Sequence, residues 1–360
     1  AKARLRRALE PPRVRLLTQF TSLPDGMKFL VALREVLLVE ARNEPRLVPL
    51  EADLKALLVA WFDVGFLELR RIDWHTPAVL LEKLVGYEAV HAIRSWRDLK
   101  NRLDSDRRCY AFFHPRMPDE PLIFVEVALV KGLAGSVQAL LDLTAPLQDP
   151  AAADTAIFYS ISNCQRGLDG ISFGNFLIKR VVELLGQEFR NLKNFATLSP
   201  MPGFRRWLER RITEEEALVL PEETEALAAA LDDDLPENGG AALAQALARR
   251  NWHKDAALVE ALKPVLERLG ARYLLGESAG TGSVKRARDP VAHFHLSNGA
   301  RVERLNVPAD VSDKGLRDSA TMMVNYLYDP AKIEQNHEDY VGEGKRAAST
   351  ALRRLSRGWT

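Results

Sequence analysis

Two histidines stand two residues apart in the segment DPVAHFHLSNGARVERLN, at His293 and His295. The tight-turn signal Ser297-Asn298-Gly299 favours a hairpin here, which would place both side chains on one face of a strand. One interpretation is a pair of metal ligands, but the sequence offers no HExxH and no third ligand at a suitable spacing. Two others stay open: one histidine transfers a proton near neutral pH, or both only pack.

Ser199 is the second candidate, in the segment FATLSPMPGFRRWL. It ends a predicted strand, and Pro200 and Pro202 stiffen the turn that follows. A hydroxyl held in this way either faces a pocket or simply terminates the strand. The segment lacks GxSxG, so the nucleophile elbow of an α/β-hydrolase is not indicated.

A glycine-bearing turn is the third candidate, in AIFYSISNCQRGLDGISFGNFLIKRVVELL. A strand over Ala156–Ser162 leads through Gly167, Gly170 and Gly174 into an amphipathic helix. Free backbone N–H groups at a helix N-terminus favour an anion, and glycines let a phosphate approach the backbone. The spacing matches neither a Walker loop nor a Rossmann fingerprint. The alternative is a turn that needs glycine only for its positive φ.

The elements that must position these residues fall into two regions. Residues 1–60 read as short amphipathic helices without chemistry, which indicates a packing or oligomerisation domain. Residues 61–360 mix strands and helices and hold every candidate above, so the predicted class is α+β rather than a regular βαβ alternation. The predicted elements of this region are a strand in GFLELRRIDW, a hairpin of Tyr110–Phe113 with Leu122–Leu129, strands at Ile157–Ile161 and Phe195–Leu198, a helix over Asn175–Leu185, helices within 213–275, a hairpin of Phe294–Leu296 with Ala300–Leu305, and helices over 313–328 and 341–357.

The composition excludes several classes of protein. With 47% hydrophobic and 28% charged residues, the 360-residue chain can build a full core. A net charge of +1 gives no reason to expect a nucleic-acid partner, and the basic stretch over residues 1–20 is expected to be solvated. No apolar run approaches the ~18–20 residues of a membrane-spanning helix. Two cysteines indicate no disulfide framework and a reducing, intracellular compartment.

Five segments, in this order, resemble the malonyl-CoA decarboxylase family. They are HPRMPDEPLIFVEVAL (114–129), FYSISNCQRGLDGISFGNFLIK (158–179), FATLSPMPGF (195–204), DPVAHFHLSNGARVERLN (289–306) and MMVNYLY (322–328). The resemblance extends from about residue 60 to the end, and the N-terminal helices fit a short form of the family's helical domain. Some members carry an acidic residue where Ser172 stands. The chain ends in RGWT rather than in a peroxisomal tripeptide, which favours a bacterial, cytoplasmic protein.

The resemblance implies a catalytic domain similar to the GNAT acyltransferases, with a mixed central sheet. It implies that Ser199 and His295 form the catalytic pair and that Tyr328 lines the same pocket. It further implies that no metal or organic cofactor is needed, that the partners are malonyl-CoA and acetyl-CoA, with no membrane, and that the protein is a homo-oligomer, a dimer or tetramer. The turn expected to bind the CoA moiety comprises Gly167, Leu168, Asp169, Gly170, Ile171, Ser172, Phe173, Gly174 and Asn175.

The expected reaction converts malonyl-CoA to acetyl-CoA and CO2 through an enolate. His295 is expected to donate the proton, and Ser199 either to hold the substrate carboxylate or to set the tautomer of His295. Two alternatives use the same CoA turn: a GNAT-type acyltransferase, and a malonyl-CoA sensor that binds without turnover.

Overall fold

The computed structural model describes residues 11–171, 176–215, 217–231, 238–280 and 285–357. The chain divides into two compact units. One holds the chain up to Glu126 together with Ser160–Leu177, and the other holds Val127–Tyr159 together with the chain from Ile178 onward. The predicted boundary between residues 60 and 61 is a different division and stays a prediction. None of the described helices is long and apolar enough to cross a membrane.

Three helices open the first unit, as the hydrophobic periodicity predicts: α1 (Pro12–Gln19), α2 (Gly26–Glu40) and α3 (Val48–Trp61). Prolines stand in the first turns of α1 and α3, where a missing N–H costs nothing. The buried positions of α2 follow the spacing of one helix face. They are Gly26, Met27, Leu30, Val31, Arg34 and Leu37.

The rest of the first unit is a small sheet covered by helices. Its elements are β1 (Glu68–Ile72), α4 (Ala78–Tyr87), α5 (Trp96–Arg102), β2 (Arg107–His114) and the first part of β3 (Met117–Val130). Strands β1 and β2 are antiparallel, β3 neighbours β2, and only Pro115 and Arg116 separate β2 from β3. The predicted hairpin is therefore present, with a shorter turn than expected. The core comprises Ile72, Leu80, Leu81, Leu84, Leu99, Cys109, Ala111, Phe113, Phe124 and Cys164.

The second unit contains a mixed sheet. Strands β4 (Thr155–Asn163) and β5 (Asn194–Thr197) pair in parallel, and the helix α7 (Phe176–Glu188) lies between them in the chain. Strand β10 (Met323–Leu327) is antiparallel to β5, to the short β6 (Ser199–Pro200) and to β9 (Arg301–Asn306). Other elements are α6 (Val137–Leu140), α8 (Phe204–Glu214), α9 (Pro221–Leu231), α10 (Gly239–Ala248), α11 (Ala256–Leu275), β7 (Ser278–Ala279), β8 (Arg286–Ala287), α12 (Pro290–Ser297), α13 (Asp313–Ser319), α14 (Ile333–Glu343) and α15 (Thr350–Leu355).

One hydrophobic cluster of this unit lies where β4 and β5 meet α6. It comprises Ala128, Val137, Leu140, Ile157, Tyr159, Ala196, Leu198, Ala309 and Met323. The predicted α+β class, with a helical region ahead of a mixed sheet, is confirmed.

The prediction of a second hairpin starting at Phe294 is wrong, because Pro290–Ser297 forms the helix α12. Asp289 caps this helix: its carboxylate accepts the N–H groups of Val291 and Ala292, each at 2.9 Å, and Pro290 occupies the first turn. Residues two apart on a helix are separated by roughly 200°. The two histidines of this segment therefore point to different sides, and the same-face interpretation is wrong.

The predicted helix over 313–328 is also wrong in its second half. Helix α13 ends at Ser319, because Ala320 and Thr321 adopt left-handed φ values of 50° and 66°. The chain then continues as β10, in which Val324 and Tyr326 are residues that favour a strand.

Candidate active site

The structure brings Ser199, His295 and Tyr328 together. The Oγ of Ser199 lies 2.9 Å from Nε2 of His295, and Nδ1 of His295 lies 2.7 Å from the hydroxyl of Tyr328. All three side chains are buried. They form one hydrogen-bonded chain in which both imidazole nitrogens are occupied.

Three separate elements supply these side chains. Ser199 begins β6 and pairs with Val324 of β10. Tyr328 directly follows β10, and its backbone N–H donates to the carbonyl of Phe195 at 2.8 Å. His295 comes from α12, and so the site depends on how that helix packs beside the sheet.

Thr197 is a fourth member, which the sequence analysis missed. Its Oγ1 accepts a hydrogen bond from Ser199 Oγ at 2.9 Å and one from the backbone N–H of Tyr326 at 3.2 Å. The Thr197 carbonyl accepts from the side-chain amide of Asn325 at 2.7 Å. Thr197 thereby fixes the hydroxyl of Ser199 to the neighbouring strand. The only indication in the sequence was that Thr197 precedes Ser199 by two residues, the spacing at which side chains of an extended segment point to the same side.

Burial lowers the pKa of His295 to about 3, so the imidazole is neutral at pH 7. Since Ser199 donates to Thr197, its oxygen is free to accept the N–H of His295 Nε2. The hydroxyl of Tyr328 then donates to the unprotonated Nδ1. With this tautomer, each polar atom of the Ser199, His295 and Tyr328 side chains has a hydrogen-bond partner.

Tyr326 packs face to face with the imidazole, and the sequence analysis missed this residue too. The two ring centroids are 4.5 Å apart at an interplanar angle of 25°. Among the described residues, the buried hydroxyl of Tyr326 has no hydrogen-bond partner. Burial raises the pKa of Tyr326 and of Tyr328, so both phenols stay protonated. The stacked ring restricts rotation of His295.

Asp289 holds the helix that carries His295. Its carboxylate is fully buried, caps α12 and accepts a hydrogen bond from the hydroxyl of Tyr273 at 3.3 Å. Burial raises its pKa to about 6, although these hydrogen bonds oppose the shift. An Asp-Pro pair ahead of an apolar run is a helix-start signal, so the sequence alone could have indicated Asp289 as a helix cap.

His293 belongs to a different set of contacts. Its Nδ1 lies 2.9 Å from the hydroxyl of Tyr340, which also accepts the backbone N–H of Ala287 at 2.8 Å. The two histidines therefore have separate partners, which leaves the metal-pair interpretation without the geometry it needs.

The predicted CoA-binding turn lies between β4 and α7, in the first unit. Within it, Gly167 and Leu168 are buried in a 3₁₀ turn, and Gly170 has a left-handed φ of 72°. Ser172, Phe173, Gly174 and Asn175 lie outside the described residues. The predicted order of strand, glycine turn and helix is present.

Comparison with known proteins covers almost the whole chain. A family model of the malonyl-CoA decarboxylase C-terminal domain matches residues 65–359, and a model of the N-terminal domain matches residues 1–62. The mitochondrial malonyl-CoA decarboxylase of Anser anser anser is 38% identical over 95% of this chain and 69% of its own length. The Rattus norvegicus protein of the same description is 37% identical, over 98% of this chain and 72% of its own length.

Two solved structures are similar to this chain over about four fifths of their own length. The crystal structure of malonyl-CoA decarboxylase from Rhodopseudomonas palustris superimposes with a TM-score of 0.86 at 45% identity, covering 98% of this chain and 82% of that one. The structure from Agrobacterium vitis gives 0.84 at 44% identity, covering 98% and 81%.

Proposed function

This chain belongs to the malonyl-CoA decarboxylase family and is a carboxy-lyase, and from that premise we propose how its residues carry out the reaction. The substrate is malonyl-CoA and the products are acetyl-CoA and CO2. The reaction passes through an enolate, His295 donates the proton, and Ser199 and Tyr328 hold the imidazole. The hydrogen-bonded chain from Ser199 through His295 to Tyr328 is the observation that supports this proposal.

The reaction consumes one proton. The bond between the α-carbon and the carboxylate breaks, CO2 leaves, and the electron pair moves through the α-carbon to the thioester oxygen as an enolate. A proton then joins the α-carbon to give the acetyl group. Hydrogen-bond donors at an oxyanion are worth about 3–4 kcal/mol each, and the hydroxyl of Ser199 takes this role when its proton turns from Thr197 to the enolate oxygen.

The low pKa of His295 in the free protein fits a proton donor that the substrate activates. Burial alone causes that shift, and no acidic side chain contributes to it. The carboxylate of bound malonyl-CoA brings a negative charge, which raises the pKa of a nearby imidazole and draws in a solvent proton. As the enolate forms, the imidazolium gives its Nε2 proton to the α-carbon and returns to the neutral state that burial favours.

The test is a paired product assay. Purified protein is mixed with malonyl-CoA in the presence of EDTA, and acetyl-CoA and CO2 are followed together. We expect equal amounts of both products from the unaltered protein. His295→Gln should lower kcat by about 10²–10⁴-fold, the usual contribution of a placed proton donor, and should leave acetyl-CoA affinity unchanged.

His293→Gln is the matched control, because that histidine contacts Tyr340 rather than the candidate site. It should retain the kcat of the unaltered protein. Full turnover by His295→Gln would reject the assignment of the proton donor. Acetyl transfer to amines without CO2 would indicate the acyltransferase, and binding without either product would indicate the sensor.

We also propose that the protein needs no metal or organic cofactor, works as a homo-oligomer and is cytoplasmic. Unchanged activity after prolonged chelation tests the absence of a metal. Cys109 and Cys164 are both buried free thiols, which suits a reducing compartment. Exposed apolar side chains on the N-terminal helices offer a surface for a second copy. They are Leu16, Leu23, Phe29, Val36, Val39, Val48 and Val59.

A further inference from the structure

Helix α3 places a lysine beside the glycine turn between β4 and α7. A Cβ added to Gly170 would lie 3.4 Å from Nζ of Lys55 and 4.0 Å from its Cε. Lys55 is half-buried, while Gly170 is exposed and has a left-handed φ of 72°. The ammonium group therefore lies beside the exposed backbone of Gly170.

The turn is fixed to the same helices. A Cβ at Gly167 would lie 1.9 Å from the backbone carbonyl oxygen of Val31 in α2, so only glycine fits there. Arg34 of α2 is buried, and its Nη1 donates to the Gly167 carbonyl at 2.6 Å. Its Nε donates to Glu51 of α3 at 3.0 Å. The relative position of Lys55 and the turn is thus set by the partly buried ion pair of Arg34 with Glu51 and by the packing of Val31 on Gly167.

Lys55 is the charge that has no counterpart in this neighbourhood. Among the described residues it makes no hydrogen bond or ion pair, because the nearest acids of its own helix are taken: Glu51 by Arg34, and Asp53 by Arg13 at 2.5 Å. Between residues 166 and 171 the turn carries one arginine and one aspartate, so its formal charge is zero. A half-buried, uncompensated ammonium attracts an anion.

We infer that Lys55 binds a phosphate group of the CoA thioester, an inference that rests on the proposed function. The helical region then contributes to substrate binding, beyond the packing and oligomerisation expected of it. A phosphate beside Gly170 meets bare backbone on one side and the ammonium of Lys55 on the other. Two sources of phosphate are present in the ligand, the diphosphate and the 3′-phosphate of the ribose.

The experiment compares Lys55→Gln and Lys55→Arg with three substrates: malonyl-CoA, its 3′-dephospho form and malonyl-pantetheine, which has no phosphate. A hydrogen bond to a charged group is worth about 1.5–3 kcal/mol, so Lys55→Gln should raise KM for malonyl-CoA by about tenfold or more at unchanged kcat. Lys55→Arg should restore KM. With malonyl-pantetheine the Lys55→Gln and unaltered proteins should be equal.

The dephospho substrate identifies the phosphate. If Lys55→Gln still raises KM with it, the contact is to the diphosphate; if the effect disappears, the contact is to the 3′-phosphate. An equal loss with malonyl-pantetheine, or no change with any substrate, would overturn the inference. The exposed Lys254 provides a control, since Lys254→Gln should change nothing. Absence of CO2 from the unaltered protein would instead reject the proposed function, and calorimetric titration with CoA would still measure the contribution of Lys55.

Discussion

The partner of His295 Nδ1 is a phenol rather than a carboxylate. In hydrolases and acyltransferases that use a Ser–His pair, a carboxylate commonly stabilises the imidazolium, so that histidine can take the serine proton. Here burial lowers the pKa of His295 to about 3, which makes the free imidazole a weak base. Ser199 is therefore poorly activated as a nucleophile. This difference favours proton donation to a carbanion over covalent catalysis.

Tyr326 gives a prediction at this scale. Tyr326→Leu removes the ring stacked on His295 and should lower kcat by about 10–100-fold, since the imidazole gains rotational freedom. It should also cost about 2–4 kcal/mol of the free energy of unfolding, through the cavity it leaves. Tyr326→Phe keeps the ring and removes a buried hydroxyl without a partner among the described residues. Its kcat should stay within about threefold of the unaltered value, and its stability should not fall.

Steady-state kinetics and urea unfolding of both variants test this prediction. Equal kcat values for the leucine and phenylalanine variants would show that the stacked ring does not position the histidine.

At the scale of elements, the N-terminal helices and the glycine turn behave as one structure. Gly167→Ala would push a methyl group against the Val31 carbonyl at 1.9 Å. We expect a loss of about 1–3 kcal/mol of unfolding free energy, the usual cost of overpacking, and a higher KM for malonyl-CoA. Gly86→Ala is the control. That glycine is exposed in α4, and beyond its chain neighbours and the backbone of its own helix no heavy atom of the described residues lies within 4 Å of its Cβ position, so alanine should stabilise the helix by about 1 kcal/mol.

Thermal and urea unfolding, with KM measured on the same samples, separate the two glycine variants. If Gly167→Ala were as stable and as active as Gly86→Ala, the turn would have to move independently of α2.

Local patterns predicted most elements but not the contacts between them. The N-terminal helices, the β2–β3 hairpin and the order of β4, turn and α7 each follow from a short stretch of sequence. Helix α12 was missed because HFHL suits a strand as well as a helix, and the cap at Asp289 decided the outcome. Ser199 and His295 are 96 residues apart, so only the resemblance, not spacing, linked them. Thr197 had only its spacing from Ser199 to indicate it and Tyr326 had no such indication, so their roles follow from their contacts with Ser199 and His295.

For the whole molecule, a net charge of +1 means that a few buried groups, rather than overall repulsion, set how stability depends on pH. His295 has a folded pKa of about 3, below the 6.5 of an unfolded histidine. A lowered pKa stabilises the fold fully above pH 6.5, and that stabilisation is lost as the pH falls towards 3. Asp289 acts in the opposite sense: its raised pKa makes its contribution fall as the pH rises through about 6.

The prediction compares the unaltered protein with His295→Gln at pH 7 and pH 4. Over this interval the unaltered protein should lose about 3 kcal/mol more unfolding free energy than the variant, because only it must keep an imidazole neutral. The contribution of Asp289 is common to both proteins and cancels. Urea unfolding at the two pH values measures the difference. Parallel losses would mean that His295 is charged, or solvated, in the folded protein.

The packing of Val31 on Gly167 also governs how this chain can be recombined with a relative. The two family models meet between residues 62 and 65, which looks like a natural crossover point for a chimera. A crossover there would pair α2 of one parent with the glycine turn of the other. The backbone carbonyl at position 31 would then come from one parent, and the glycine at position 167 that leaves room for it would come from the other. The exchangeable block is therefore discontinuous in sequence: the helices and residues 160–177 should be inherited together.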